Sequence, residues 1–435
     1  MPDPVPAPVF DALARGGGGS GAASFLRLAQ FGKHLMLLRR VVDAAREAQH
    51  PEAGRVGDAY DLLVRAQENA PDRVAAVLRH PTVGVWARRT ALALAGHRSE
   101  EPRPAGMAAV AAAAALRGAV DARIEVPLDG PTVPLPSLGR ALVGARGGRA
   151  LFETRGGLAT VRAERGLRVA VPEDPHEDAP GWHALRRLAA EHRGRRIELL
   201  LDDQDPDRMP GAAPVARRLG ARELDHWRRT LGGAWRLLVE HHWTVADETE
   251  GTVVTLTPIT APGGRLHTSA TARHAFGNLG LSTPPDPVLL ALTFAHEVQH
   301  AKLTALLDLV DLTLPEDGSR YYAPWRPDPR PASGLLQGVY AHLGVAGFWR
   351  RHRHTLAGEG ARRAHAEFAH WRRSTADASR ALAASGRLTA EGGRFLGAAD
   401  RTLCRWLAEP VPAEAEEAAG AAARAHLARW RERNG

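Results

Sequence analysis

The spacing of apolar residues divides the chain into a helical beginning, a strand-rich middle and a helical end. Apolar positions three and four residues apart predict helices over 22–49 and 58–70, and the segment 80–86 interrupts this pattern before another helix. Short alternating segments bounded by glycine and proline predict strands over 124–128, 158–162, 167–171 and 196–201. We therefore expect an α+β fold that is predominantly helical.

Helical spacing returns after the strand-rich part of the chain. It predicts helices over 222–242, 334–353, 358–385, 389–408 and 413–432, and a strand over 252–259 comes after the first of them. We expect a helical N-terminal region 1–122, a strand-rich middle region 123–215, and a metal-binding catalytic region 216–435 whose last two or three helices brace the site from outside. The glycine-rich tract 16–21 predicts a mobile connector with no function of its own.

Composition narrows the class of protein. Of the 435 residues, 44% are apolar and 24% are charged, which is typical of a soluble globular protein. The formal charge of +8 comes almost entirely from arginine, because Lys33 and Lys302 are the only lysines. No basic run is interleaved with aromatic residues, so we expect no nucleic-acid partner, although a basic surface can attract an acidic peptide.

The number of cysteines and the length of the apolar runs indicate the cellular compartment of the protein. Cys404 is the only cysteine, which excludes a disulfide framework and a thiolate metal cluster. The first residues lack the basic and apolar parts of a signal peptide, and the longest apolar run, 107–116, is too short to span a bilayer. We expect a cytoplasmic protein without a membrane partner.

The segment 294–301 carries the main candidate chemistry, an H-E-x-x-H motif. His296 and His300 are four residues apart, so on a helix both imidazoles lie on one face and can bind one metal ion. Asp286 and Pro287 predict the start of that helix, which we expect to run to about Leu312. Glu297 can act on a metal-bound water or orient the ligands, and two hydrogen-bonded core histidines are the plain alternative.

A third metal ligand must come from elsewhere in the chain. The residues after His300 do not continue the metzincin motif, Glu316 lies in a predicted turn, and Asp308 and Asp311 lie too far along the helix. His342 lies on the inward stripe of a helix that Ser333 can cap, and is our candidate. A core histidine with an ordinary hydrogen bond remains the alternative at this position.

The proline-rich segment 321–331 carries four further candidates. Tyr321 and Tyr322 supply hydroxyl groups, and Arg326 and Arg330 supply planar guanidinium groups suited to a carboxylate. Alternating prolines predict a stiff, extended loop that fixes the direction of these side chains. The alternative is a solvated surface loop in which both arginines pair with Asp328.

Three segments together carry a family resemblance: 295–300 (AHEVQH), 321–331 (YYAPWRPDPRP) and 334–343 (GLLQGVYAHL). They resemble the HExxH-type peptide β-hydroxylases that depend on α-ketoglutarate and act on precursors of ribosomally synthesised, modified peptides. The segments 80–86 and 266–277 also look familial, so the likeness covers most of the chain. No cysteine triplet is present, so the resemblance implies a stand-alone hydroxylase without a radical-SAM module.

The resemblance implies Fe(II) at His296 and His300, with His342 as the third ligand, and O2 and α-ketoglutarate as cosubstrates. The far carboxylate of α-ketoglutarate would bind Arg326 or Arg330, beside Tyr321 and Tyr322, and Glu297 would orient the site. The partners implied are a precursor peptide and other biosynthetic enzymes. Apart from the resemblance, we expect the metal helix to pack against a zincin-like sheet that contains 252–259.

Two other functions remain open from the residues alone. A zinc peptidase would use Glu297 as general base on a metal-bound water, because histidine ligands do not distinguish zinc from iron. A non-catalytic peptide-binding protein would hold its metal for structural reasons only.

Overall fold

A computed structural model describes residues 5–97, 101–205, 207–261 and 267–434 of the chain. Residues 1–4, which belong to the segment where we expect no signal peptide, lie outside the described residues. Leu266, the first residue of the familial segment 266–277, lies outside them as well. Helices dominate and strands form three small sheets, which confirms the predominantly helical α+β class.

Six helices form the first part of the described chain. They are α1 (Ala7–Ala14), α2 (Gly19–Glu47), α3 (Ala53–Asn69), α4 (Pro71–Leu78), α5 (Pro81–Leu94) and α6 (Met107–Arg117). The segment 80–86 is the start of α5, because Pro81 stands at a first-turn position where its missing N–H is no loss. The tract 16–21 is not only a connector, since α2 begins inside it at Gly19.

Two antiparallel sheets follow and share an apolar core with these helices. Their strands are β1 (Ala122–Pro127), β2 (Thr132–Leu135), β3 (Gly139–Leu142), β4 (Arg149–Arg155), β5 (Leu158–Ala163), β6 (Arg168–Val171) and β7 (Trp182–Ala184). One sheet has the order β1-β4-β5-β6 and the other β2-β3-β7. The alanine-rich α6 is buried from Met107 to Ala115 beside them, so the longest apolar run is core.

The third sheet is mixed and lies next to the candidate chemistry. Its strands are β8 (Arg186–His192), β9 (Arg195–Leu201), β10 (Thr255–Pro258), β11 (Ser269–Ala270) and β12 (Asn278–Leu281), in the order β11-β12-β10-β9-β8. Strands β9, β10 and β12 are parallel, and the edge strands β8 and β11 are antiparallel to their neighbours. The sheet therefore joins strands from the predicted middle region to strands that come after the helix predicted at 222–242.

Seven helices complete the described chain. They are α7 (Ala221–His241), α8 (Trp243–Thr252), α9 (Pro287–Leu306), α10 (Ala332–His352), α11 (Gly358–Ala383), α12 (Ala390–Leu407) and α13 (Ala413–Asn434). The predicted strand 252–259 is shorter than expected, because α8 extends to Thr252 and β10 begins only at Thr255. The Thr252 hydroxyl donates to the Glu248 carbonyl one turn earlier in the helix. Among the described residues, no helix is long and apolar enough to cross a membrane.

The ends of α9 and α10 correct two details of the prediction. The Asp286 carboxylate accepts a hydrogen bond from the Leu289 N–H, as expected of an N-cap. However, α9 ends at Leu306 rather than Leu312. The cap predicted at Ser333 is wrong, because α10 begins one residue earlier and the Ser333 hydroxyl donates to Glu316 instead.

Helices α9 and α10 cross closely at Gly344. A Cβ atom at this glycine would lie 2.3 Å from the Ala295 carbonyl oxygen, the residue before His296. Only a residue without a side chain allows this approach. The crossing therefore brings the H-E-x-x-H segment next to the part of α10 that carries His342.

Candidate metal centre

The three predicted histidines lie together at the crossing of α9 and α10. The ring centroids of His296 and His300 are 4.8 Å apart, and those of His296 and His342 are 5.1 Å apart. In the described part of the chain, however, no three His, Cys, Asp or Glu side chains form a ready-made metal-binding group. The backbone thus gathers the donors, and the rings as they stand would have to turn to share an ion.

Hydrogen bonds determine which ring nitrogens are free to bind a metal. The Nδ1 of His300 donates to the Gln337 amide oxygen at 2.9 Å, and the Nδ1 of His342 donates to the Gly338 carbonyl at 2.8 Å. In a neutral imidazole with a protonated Nδ1, the Nε2 atom keeps its lone pair. Both histidines therefore offer Nε2 to a ligand, the usual arrangement behind a metal-bound histidine.

Burial keeps the imidazoles of His296 and His342 neutral. It lowers the pKa of His296 to about 4, with the neighbouring His300 acting in the same direction. It also holds the pKa of His342 well below its ordinary value, reinforced by His296. Neutral imidazoles are the form that binds metal ions, so the donors fit such a role near pH 7.

His342 is held between two tryptophans. Its ring stacks on Trp325 at 4.2 Å and on Trp371 at 4.7 Å between centroids. Trp325 can lie against α10 because Gly338 has no side chain, and a Cβ there would lie 2.2 Å from the indole. Trp371 comes from α11, so a helix from the C-terminal part of the chain braces the site, as predicted.

Glu297 is anchored by hydroxyl groups. Ser269 Oγ donates to Oε1 at 2.7 Å and Thr271 Oγ1 donates to Oε2 at 2.5 Å, and the residue is only 2% exposed. Burial acts to raise the pKa of this carboxyl, but the two histidines and the two hydroxyls outweigh it and lower the pKa. Both oxygens are therefore engaged in the structure.

Ser269 and Thr271 were missed by the sequence argument. Both fall in the familial segment 266–277, and their spacing of two residues places both side chains on one side of an extended chain. That spacing was the available signal, but only the folded structure, through the hydrogen bonds of both hydroxyls to Glu297, shows which element this side faces.

Two cavities lie on either side of the histidine cluster. His296 and His342 line one of about 660 Å³, together with Trp349, Trp371 and Arg363. We call this the aromatic cavity.

The second cavity has a different lining. It measures about 590 Å³ and includes His300, Thr271, Arg273, Thr304 and Gln337. We call it the polar cavity. Arg273 and Arg363 are two cationic residues that sequence reasoning did not single out, because arginine is abundant along the whole chain.

The four candidates of the segment 321–331 lie elsewhere. Arg326 Nε donates to Asp328 at 2.9 Å, and an Arg330 guanidinium nitrogen lies 3.5 Å from the other carboxylate oxygen of Asp328. The backbones of Tyr321 and Arg330 pair, and the Tyr322 hydroxyl contacts His426 of α13 at 2.8 Å. None of the four lines the aromatic or the polar cavity.

We compared the chain with protein-family models and with curated proteins. No protein-family model matches the chain, and no curated protein matches it. The site must therefore be interpreted from its own geometry.

Proposed function

We propose that this chain is an Fe(II)- and α-ketoglutarate-dependent hydroxylase that acts on a β-carbon of a ribosomally synthesised peptide. His296, His300 and His342 would hold the metal, and Glu297 would orient the site. The observation that carries the proposal is the anchoring of both Glu297 oxygens beside the imidazoles of His296 and His342, which burial keeps neutral.

The anchored carboxylate favours oxidation over peptide hydrolysis. In a peptidase, Glu297 must accept a proton from a metal-bound water, which requires an oxygen within hydrogen-bond reach of that water. Ser269 and Thr271 each donate one hydrogen bond to it, which leaves lone pairs on both oxygens but fixes the direction of the carboxylate and limits its movement toward such a water. A carboxylate held in this way is suited to position its neighbours.

The aromatic cavity supports a peptide as the substrate. Its wall combines the tryptophan rings with Arg363 and Glu367, so it offers apolar surface and both signs of charge to an extended chain. The position of α9 next to the edge strand β11, through Glu297 and Ser269, supports the zincin-like part of the fold prediction.

The cosubstrates supply the oxidising power. When bound, iron, O2 and α-ketoglutarate together replace a peptide C–H by C–OH and release succinate and CO2. The chain's own residues would hold the reactants: the imidazoles as metal donors, and an arginine as partner of the far carboxylate of α-ketoglutarate. Arg326 and Arg330 are the arginines that the resemblance names, and Arg273 is the one in the polar cavity beside His300.

The test is product formation by protein loaded anaerobically with Fe(II), then given α-ketoglutarate, O2 and a candidate precursor peptide. We expect succinate and a peptide heavier by one oxygen atom. Glu297→Gln should retain the metal and a measurable part of this activity, because the amide oxygen can accept from one of the two hydroxyls while the amide NH2 donates to the other.

His296→Ala is the matched control for this experiment, since it removes a donor and should remove the metal. Cleavage of the peptide by the zinc-loaded protein, abolished by Glu297→Gln, would replace our proposal with the peptidase. A metal that raises thermal stability without either reaction would indicate the structural role.

A further inference from the structure

The segment Leu13–Gly19, which runs from the last turn of α1 through the connecting loop to the first residue of α2, receives several long-range hydrogen bonds. Four of its carbonyls accept from side chains far along the chain. Leu13 accepts from the Tyr340 hydroxyl at 2.7 Å, Gly16 from the Gln299 amide at 2.8 Å, Gly17 from the Lys302 ammonium at 3.1 Å, and Arg15 from the Thr402 hydroxyl at 3.5 Å. We call this segment the N-terminal loop. It is tied down at several points, in contrast to the mobile connector that its glycines predict.

A buried ion pair strengthens the same contact. Lys302 is fully buried and lies 2.7 Å from Glu248 of α8, and the other Glu248 oxygen accepts the Gly19 N–H at 3.2 Å. Burying two charges is costly unless each is paired and hydrogen-bonded. The loop completes this pairing, since Gly17 accepts from the lysine and Gly19 donates to the glutamate.

These ties reach both helices that carry histidines. Gln299 and Lys302 lie on α9 on either side of His300, and Tyr340 lies on α10 two residues before His342. One short segment of backbone therefore connects the two helices at the level of the histidine cluster.

The loop also fits its place closely. Gly16 has a φ of +84°, a conformation that side chains disfavour, and a Cβ there would lie 2.5 Å from Leu343 Cδ2. Leu343 directly follows His342 in the sequence. The glycines thus let the backbone approach α10 closely beside a proposed metal ligand.

We infer that the N-terminal loop is a positioning element of the metal centre: it sets the relative placement of α9 and α10, and Tyr340, Gln299 and Lys302 act through it as positioning residues. The inference rests on the proposed metal site, but not on the reaction carried out there. It gives the first residues of the chain a part in the site although they touch neither metal nor substrate.

The experiment is a Co²⁺ titration of the purified full chain, followed by the visible ligand-field spectrum of the bound ion. Tyr340→Phe removes one hydroxyl and keeps the ring, so packing is preserved. We expect Co²⁺ affinity to fall by about tenfold, with an altered spectrum, in a protein that loses one buried hydrogen bond but still folds.

Tyr60→Phe is the matched control, because it makes the same chemical change in α3, away from the loop. Gln299→Met is a second variant, which removes a different tie at similar side-chain length and should weaken Co²⁺ binding in the same way.

Each outcome decides the inference. Wild-type affinity and spectrum in both folded variants would overturn it while leaving the metal centre intact. Failure of the wild-type protein to bind Co²⁺ would instead remove the proposed function together with the inference. If both variants failed to fold, the loop would be a determinant of overall stability, and its positioning role would be rejected.

Discussion

His342 has the most constrained side chain of the histidine cluster. Two tryptophans enclose its ring and a backbone carbonyl fixes its Nδ1 proton, so only its Nε2 edge is left for a ligand. His300 is fixed through Gln337, whereas His296 contacts its neighbours mainly as a ring. The three imidazoles are thus held in place to different degrees, and that of His342 is held most firmly.

The arginine that binds the far carboxylate of α-ketoglutarate can be identified by substituting the candidate arginines one at a time. We expect Arg273→Gln to raise the α-ketoglutarate concentration needed for half-maximal succinate formation by about 10- to 100-fold, the loss of one charge-assisted hydrogen bond to a carboxylate. The reason is that Arg273 lines the polar cavity with His300. Steady-state kinetics at saturating peptide and Fe(II) measures this directly.

The comparison variants are Arg326→Gln and Arg330→Gln, whose guanidinium groups lie beside Asp328 in the segment 321–331. If these two variants needed much more α-ketoglutarate for half-maximal succinate formation and Arg273→Gln did not, the cosubstrate would bind at Arg326 or Arg330, as the resemblance implies. Arg363→Gln reports on the aromatic cavity and should alter the dependence on peptide concentration instead.

Individual site residues were predictable only where their signal was local. His296, Glu297 and His300 form a contiguous motif, and His342 lies on a helical stripe, so spacing alone indicated them. Ser269, Thr271 and Lys302 were not predictable, because their roles depend on partners that are 28, 26 and 54 residues away in sequence: Glu297 for the two hydroxyls and Glu248 for the lysine.

At the scale of elements, the contact of α9 with α10 is the feature that creates the site. We expect Gly344→Ala to destabilise the protein by about 1–3 kcal/mol, because the added methyl group overpacks the crossing against the Ala295 carbonyl. Since Ala295 precedes His296, metal affinity should fall as well. Urea denaturation and metal titration together measure the two effects.

Gly393→Ala should have the opposite effect on folding stability. This glycine lies on the exposed face of α12 with open space around its Cα, so alanine should stabilise the helix by up to about 1 kcal/mol. Equal effects of the two substitutions would mean that helix propensity, and not the close crossing, governs Gly344.

Elements differed in how well the sequence predicted them. The last four helices match their predicted bounds within a few residues, because each carries its own apolar stripe and clear ends. The strand expected at 252–259 was too long because Thr252, a good strand residue, is held in a helical turn by its bond to Glu248. The N-terminal loop was misjudged because glycine composition cannot reveal that distant side chains bind its carbonyls.

At the scale of the whole molecule, an acidic turn after β9 links the first helical part of the chain to the third sheet. Asp207 accepts hydrogen bonds from Arg89 and Arg103 of the first part, each at 2.5 Å, and Asp203 accepts from Arg186 of β8 at 2.5 Å. Beside them Asp202 is 1% exposed, and its Oδ2 has no hydrogen-bond partner in the described structure.

Asp202 should make stability depend on pH. Burial, helped by the charge of Asp205, raises its pKa from 3.8 to about 7. The unfolded chain therefore loses this proton from about pH 4 upward while the folded chain keeps it, so this group lowers folding stability progressively between pH 4 and 7. We expect Asp202→Asn to unfold at higher urea concentration than the wild type at pH 8, with a smaller difference at pH 5.

The amide introduced by this substitution would keep an acceptor for the Gln204 and Asp205 N–H groups, so the turn itself should persist. Asp225→Asn is the control, because Asp225 is exposed and only pairs with Arg228 on the surface. Parallel pH profiles for wild type and Asp202→Asn would show that Asp202 is ionised in the folded protein.

The aromatic and polar cavities have no lining residue in common. If the chain acts as we propose, a peptide lying against the tryptophans would leave the wall around His300 open to a small dicarboxylate. Spent cosubstrate would then be replaced without release of the peptide. Such an arrangement favours several successive oxidations during a single encounter, so the distribution of products at low enzyme concentration would be skewed toward fully modified chains.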